Sequence, residues 1–254
     1  MELVPEREDT EVLEHLLGRW REEVQLEEDH WTEGSDLFEL SYDTKRTDIL
    51  YNSQDVLDHL ERAYDDLRQW FGRDPVREGE RGRIRVVLYN AREFDRLTGL
   101  GDWAGGVFDG VVRISVEDLG IETSRWKRVL THELVHAYLH EVGGASVPGW
   151  LNEGLAQFLE SGDPPLEEAR RRIVGHELIP LGELQGSLAS WKDTESIARA
   201  YAQSLALVAR IATDYGDDAL RRMVTGCAEG VTPEVSFEAW TSVPLLFVIE
   251  QLPR

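Results

Sequence analysis

Two histidines and a glutamate stand at a spacing that suits metal-assisted hydrolysis. Residues 131–136 read T-H-E-L-V-H, and on a helix the i, i+4 spacing puts His132 and His136 on one face, where both imidazoles can bind one ion. Glu133 projects beside them and can take a proton from a metal-bound water, whose pKa the ion lowers toward neutrality. The motif therefore predicts a single Zn²⁺ bound by His132 and His136, with Glu133 as the general base.

A catalytic zinc needs a third protein ligand and an open position. The metzincin pattern would place a glycine and a further histidine at positions that hold Leu139 and Val142, so that pattern is excluded. The segment W-L-N-E-G-L-A-Q at 150–157 follows a connection rich in glycine and proline and puts Glu153 seventeen residues after His136. A short loop can fold this second helix back on the first, which makes Glu153 a candidate ligand.

The elements around the motif alternate between strand and helix in the first half of the chain. Alternating apolar residues predict strands at 38–42, 84–88 and 112–116. A long helix is predicted from an N-cap at Ser53 to Phe71. These elements predict a small sheet backed by helices.

Helices dominate the second half. Apolar spacing predicts helices at 125–142, 148–160 and 197–215, each followed by a glycine. The fold class is therefore α+β, with three expected parts: an N-terminal helix within 1–32 that packs on the body, an α/β part at 33–145, and a helical part at 146–254. In the N-terminal helix, the apolar residues expected to face the body include Leu17, Trp20 and Val24.

Composition limits the partners. The 254 residues carry a net charge of −22, which would repel nucleic acid and anionic lipid. The sequence has no long apolar run and no basic, apolar leader, so we expect a soluble protein without membrane insertion. Its single cysteine, Cys227, excludes a thiolate metal cluster. Compartment and oligomeric state stay open.

Two segments carry a family resemblance. The run H-E-L-V-H followed by W-L-N-E-G-L-A-Q resembles the gluzincin metallopeptidases, most closely the bacterial peptidase-MA-like families. Softer similarity in I-R-V-V-L-Y-N-A-R-E-F, D-W-A-G-G-V-F-D-G and Y-A-Q-S-L-A-L-V extends it over about residues 36–225. The resemblance implies a thermolysin-like zincin fold, in which a small mixed sheet and the active-site helix pack on a mainly helical C-terminal part. It also implies that Glu153 completes the zinc site.

The resemblance also suggests supporting residues. Tyr201 matches the position of a donor to the developing oxyanion, although its helical spacing with Leu205 and Val208 fits a core tyrosine equally well. Many gluzincins have an acidic residue, hydrogen-bonded to a ligating histidine, where this chain has Gln157, whose amide oxygen could accept the imidazole N–H without adding negative charge. Asn152 is a second candidate for supporting the ligands.

Substrate contacts are harder to assign from the sequence. Trp103, Ala104 and Gly105 belong either to an edge strand that pairs with an extended peptide or to a hairpin turn. The chain contains no G-x-M-E-N segment that would hold a substrate N-terminus, so endopeptidase cleavage is favoured. A zinc-binding module that has lost catalysis, and a hydrolase for non-peptide amides, remain alternatives to a zinc metallopeptidase acting on peptides or proteins.

Overall fold

The computed structural model describes residues 7–75, 82–100, 104–116, 123–188, 191 and 193–253. Within them lie a five-stranded sheet and ten α-helices. The strands are β1 (His30–Gly34), β2 (Phe38–Asp43), β3 (Ile84–Tyr89), β4 (Gly106–Phe108) and β5 (Val112–Ser115). The helices are α1 (Arg7–Glu27), α2 (Thr47–Phe71), α3 (Ala91–Thr98), α4 (Thr123–Gly143), α5 (Gly149–Leu159), α6 (Leu166–Ile173), α7 (Thr194–Tyr215), α8 (Asp217–Ala228), α9 (Pro233–Thr241) and α10 (Leu245–Glu250).

The sheet is mixed, with the strand order β1-β2-β3-β5-β4. The three inner strands are parallel, with Phe38 opposite Ile84 and Val86 opposite Val112. The two outer strands pair antiparallel with their neighbours. The three predicted strands form the parallel centre, so the α+β class is confirmed and the architecture is consistent with a zincin-like fold. Of the two short outer strands, β1 was not predicted, and β4 directly follows the segment for which an edge strand was one of two alternatives.

One face of the sheet carries the main core. Leu40, Val86 and Ile114 alternate along their strands and are fully buried, and α2 and α4 pack over them. The aromatic rings of Tyr64 and Tyr138, one from each helix, lie 5.3 Å apart. This packing anchors the helix that carries the H-E-L-V-H motif.

Helix α2 begins earlier than predicted. It starts at Thr47, so Ser53 is a buried residue inside the helix and not its N-cap. Ile49, which is 1% exposed, lies two helical turns before Val56 and extends the apolar stripe. The helix ends as expected at Phe71, followed by Gly72 with a φ of 70°, a left-handed conformation that glycine adopts at low cost.

The opposite face of the sheet is covered by α1 and α3. The orientation expected for α1 is wrong, because Leu17, Trp20 and Val24 are 45%, 63% and 48% exposed. Its inward side holds the half-buried Leu26 and acidic side chains that pair with arginines of the sheet and of α3. Among the side chains of α1 that the structure describes, the contacts with the body are therefore mainly charged pairs.

The second half of the described chain is helical, as predicted. Helix α5 crosses α7 closely, and α4 packs on α5 and α8. The additional helices α6, α8, α9 and α10 were not predicted. None of the helices within the described ranges combines the length and apolarity that a membrane crossing requires.

Candidate metal centre

The two histidines of α4 face the glutamate of α5. The rings of His132 and His136 lie 4.7 Å apart and nearly perpendicular. The Glu153 Oε2 atom lies 3.5 Å from His132 Nε2 and 3.6 Å from His136 Nε2. One ligand atom from each of the three residues fits within a 4.8 Å limit of mutual separation. The structure thus brings together the three residues that the sequence nominated as ligands.

A buried oxygen supplies an independent test of whether a cation fits. Glu153 is 8% exposed, and its Oε2 atom is buried without a hydrogen-bond partner in the described part of the chain. A carboxylate oxygen in this state is costly to bury, and a cation shared with the two imidazoles would satisfy it. Two histidines and one carboxylate form a ligand set found in catalytic zinc sites. The residues present therefore fit a zinc ion.

Each histidine has an oxygen acceptor at its other ring nitrogen. The His132 Nδ1 atom lies 2.7 Å from Glu160 Oε2, and the His136 Nδ1 atom lies 3.1 Å from Asn152 Oδ1. When each Nδ1–H donates to these oxygens, both Nε2 lone pairs are left for the metal. Asn152 thus has the supporting contact proposed for it.

Gln157 was expected to contact a ligating histidine, but another residue makes that contact. The Gln157 Nε2 atom donates to the carbonyl oxygens of Glu153 and Tyr201, at 3.1 and 3.0 Å, and no hydrogen bond to a ligating histidine is found for it within the described residues. Glu160, at the C-terminal end of α5, contacts His132 instead. The prediction for Gln157 is therefore wrong, and a negative charge does lie beside the ligands. The missed signal was the spacing of seven residues from Glu153, two turns along the same side of the helix.

The general-base candidate is buried beside the ligands. Glu133 is 6% exposed, and burial raises the pKa of its carboxyl to about 7, against the opposing charge of His132. A cation bound nearby would favour its ionised form. Glu133 lines the same cleft as the three ligand candidates.

The charges of the ligand candidates are strongly coupled. Burial opposes protonation of His132, but the neighbouring carboxylates of Glu153 and Glu160 outweigh it and raise the pKa of that histidine to about 10. Burial lowers the pKa of His136. The pKa of Glu153 is lowered, because the charges of His136 and His132 outweigh the effect of burial. A cation bound by these three residues would therefore displace the proton of His132 and face the negative charge of Glu153.

Tyr201 reaches the site from α7. It lines the same cleft as Glu133 and Glu153, and burial and the charges of Glu153 and Glu133 raise the pKa of its hydroxyl. The phenol therefore stays protonated and available as a donor. The ring also packs against the main core, as expected of a core tyrosine, and the role of Tyr201 as a donor to the oxyanion stays a prediction.

The site opens into a cleft of about 550 Å³. Ala104 and Gly105 line it and lead into β4, which is an edge strand paired only with β5 in the described sheet. Trp103 lies outside the described residues. Of the two structures considered for this segment, the edge strand is therefore found, but it begins after Gly105. This strand forms one wall of the cleft.

Comparison with known proteins agrees with this geometry. A search of curated proteins finds no match to the chain. A family model described as the peptidase MA superfamily matches residues 84–244, a range that contains the sheet strands β3 to β5, the motif helix α4, Glu153 and Tyr201. This range is well over half of the 254 residues. The chain belongs to the peptidase MA superfamily.

Proposed function

We propose that this chain is a zinc-dependent metallopeptidase that cleaves within peptide chains. Its superfamily supports a peptidase-type hydrolase. The observation that carries the finer proposal is the buried, unpartnered Glu153 oxygen facing both histidine Nε2 atoms, beside a buried glutamate in an open cleft. Structural zinc sites usually have four protein ligands, whereas three ligands and a cleft leave a position for water.

The residues divide the chemistry among them. His132, His136 and Glu153 would hold the zinc, which when bound polarises a carbonyl and makes water a better nucleophile. The Glu133 carboxylate takes the proton of the attacking water and delivers it to the leaving amine. The Tyr201 hydroxyl, held protonated next to Glu153, can turn toward the oxyanion that develops on the substrate carbonyl.

The test separates metal binding from turnover. Zinc content and cleavage of a mixed peptide library are measured for wild type, Glu153→Ala and Glu133→Gln, with the exposed Glu177→Gln as the matched control. We expect Glu153→Ala to lose zinc, and Glu133→Gln to keep zinc but lose cleavage. Full activity of Glu133→Gln would refute the mechanism, and zinc without any cleavage by wild type would favour a non-catalytic binding module.

Blocked peptides distinguish an endopeptidase from an exopeptidase. Peptides blocked at both ends should be cleaved if the enzyme is an endopeptidase, whereas dependence on a free terminus would make it an exopeptidase.

Tyr201→Phe keeps the ring in the core and removes only the hydroxyl, so it should retain zinc and lower kcat by about 10²–10³-fold. Unchanged kcat in this variant would reduce Tyr201 to its packing role.

A further inference from the structure

The edge strand β4 lies directly on the helix that carries the general base. A Cβ atom built on Gly105 would lie 3.0 and 3.2 Å from the two methyl groups of Val129. A Cβ atom built on Gly106 would lie 2.6 Å from Glu133 Cγ and 2.9 Å from Glu133 Oε1. Val129 and Glu133 are one turn apart on the same face of α4. The bare backbone of the strand therefore rests against the side chain of the general-base candidate.

Conformation does not explain the glycine at 106. Its φ is outside the left-handed region, so an alanine could adopt the same backbone. An alanine would instead clash with its neighbours, because Cβ atoms essentially never approach other atoms closer than 3.0 Å. The structure thus requires glycine at this position because of Glu133 and, at 3.0 Å, the end of the Ile114 side chain.

The backbone cannot easily move on either side of this contact. The strand is fixed by its pairing of Gly106 with Ile114 and by the 2.9 Å bond from Ser115 N to Gly105 O. On the other side, Glu133 is 6% exposed and follows a metal-ligand candidate on a helix packed into the main core. A methyl group at 106 would therefore be accommodated mainly by rotation of the Glu133 side chain.

We propose that Gly106 is a positioning residue for the reaction. Because Gly106 has no side chain, the edge strand can lie against Glu133 and keep its carboxylate directed at the metal position. The proposal rests on the proposed function insofar as Glu133 acts as the base. It assigns Gly106 a role distinct from substrate pairing, because the contact is made on the side of the strand that faces α4.

The kinetic test uses the smallest possible change. Gly106→Ala should lower kcat by about 100-fold, the effect expected when a reacting group is displaced by about 1 Å. Zinc affinity and KM should stay unchanged, because the ligand side chains and the cleft walls beyond Glu133 are not displaced. Gly162→Ala, at an exposed position where the new Cβ meets no atom within 4 Å, is the matched control and should behave as wild type.

A double-mutant cycle on stability tests the contact without relying on turnover. Gly106→Ala should lower the urea midpoint of wild type, but should have little effect in a Glu133→Ala background, where the clashing Cγ and carboxylate are absent. If Gly106→Ala alone does not fold, folding of the double variant gives the same support. An equal loss in both backgrounds, or an unchanged kcat for Gly106→Ala, would overturn the proposal. A wild type without any peptidase activity would contradict the proposed function while the cycle still reports on Gly106.

Discussion

Among the single residues, Glu160 links the metal site to the cleft rim. Its carboxylate accepts from His132 Nδ1 at 2.7 Å and forms an ion pair with Arg128, whose Nε lies 3.3 Å away, and its side chain is 9% exposed. A carboxylate behind a ligating imidazole fixes the ring orientation and makes the ring a stronger ligand. We therefore expect Glu160→Gln to weaken zinc affinity by about 10–100-fold, measured by competition with a chelating dye.

The ion pair with Arg128 provides the control for this prediction. Arg128 is 59% exposed at its side chain, so Arg128→Gln removes the weaker contact and leaves His132 bonded to Glu160. This variant should lose much less zinc affinity than Glu160→Gln. Equal losses in the two variants would mean that Glu160 acts through the arginine, and no loss in either would remove Glu160 from the metal site.

His59, which lies behind the motif helix, should make the stability of the fold depend on pH. Its Nε2 atom lies 2.9 Å from both the Lys127 carbonyl oxygen and Thr131 Oγ1. Burial lowers its pKa, and the charges of Lys127 and Arg62 act in the same direction. Because the unfolded chain binds the proton first as pH falls, this histidine should cost stability below about pH 6.5, its ordinary pKa, until the folded protein also binds the proton.

Comparison of His59→Gln with wild type isolates this effect. Glutamine can still donate to the Lys127 carbonyl but does not titrate. Urea unfolding between about pH 8 and pH 5 should show wild type losing more free energy of unfolding than the variant. The exposed His176→Gln should follow wild type, and a His59→Gln curve parallel to wild type would contradict the assignment.

The role of a residue could be predicted from the sequence where its spacing along one helix is enough to fix its position. His132 and His136 are one turn apart on any helix, so their common face needed no tertiary information. The partner of His132 depended instead on how α5 is rotated against α4, a property of packing. Both Gln157 and Glu160 lie on the same general side of α5 as Glu153, and only the contact of Gln157 with the α7 backbone decides between them.

At the scale of elements, the crossing of α5 and α7 sets the distance between Glu153 and Tyr201. A Cβ atom on Gly154 would lie 2.6 Å from both Ser204 O and Val208 Cγ2. Glycine next to the ligand candidate thus lets the two helices approach closely. Gly154→Ala should push them apart, destabilise the fold by about 1–3 kcal/mol and lower both zinc affinity and kcat.

A second helical glycine serves as the control for this crossing. Gly18 lies within α1, where an added Cβ meets no atom within 4 Å. Gly18→Ala should leave the site unchanged and gain up to about 1 kcal/mol of helix propensity. If Gly154→Ala proved as harmless in urea unfolding and zinc titration, the close crossing would not be what positions the ligand.

The two outer strands of the sheet are short or polar. Strand β4 has three residues, and β1 contains His30, Thr32 and Glu33 with only one large apolar residue. Edge strands of this kind carry little hydrophobic periodicity, because their pairing is decided by the neighbouring strand. The inner strands and α4 bury apolar residues at a regular period, and these were predictable.

At the scale of the whole molecule, which carries a net charge of −22, added salt should have opposite effects on the stability of the fold and on the attachment of α1. Like charges over the surface repel one another in the compact state, so added salt should stabilise the fold as a whole. Helix α1 is attached by oppositely charged pairs, since Glu23 contacts Arg113 at 2.6 Å, Glu27 pairs with Arg85, and Tyr89 donates to Glu27. Added salt should weaken this attachment.

The opposing effects can be measured in one experiment. Raising salt from about 0.1 M to about 1 M shortens the Debye length from about 10 Å to about 3 Å. Hydrogen exchange should then show α1 amides losing protection while α4 amides gain it. The Glu23→Gln, Glu27→Gln double variant should lower the free energy of α1 opening by about 1–3 kcal/mol at low salt and abolish most of its salt dependence.

The exposed Glu14→Gln is the control, because it removes a negative charge from the same helix without touching the sheet contacts described for Glu23 and Glu27. It should reduce general repulsion slightly and keep the salt dependence of α1. Protection that rises with salt in α1 as well as in α4 would mean that the half-buried Leu26 and its apolar neighbours hold the helix. In that case the acidic pairs would follow from the docking and would not cause it.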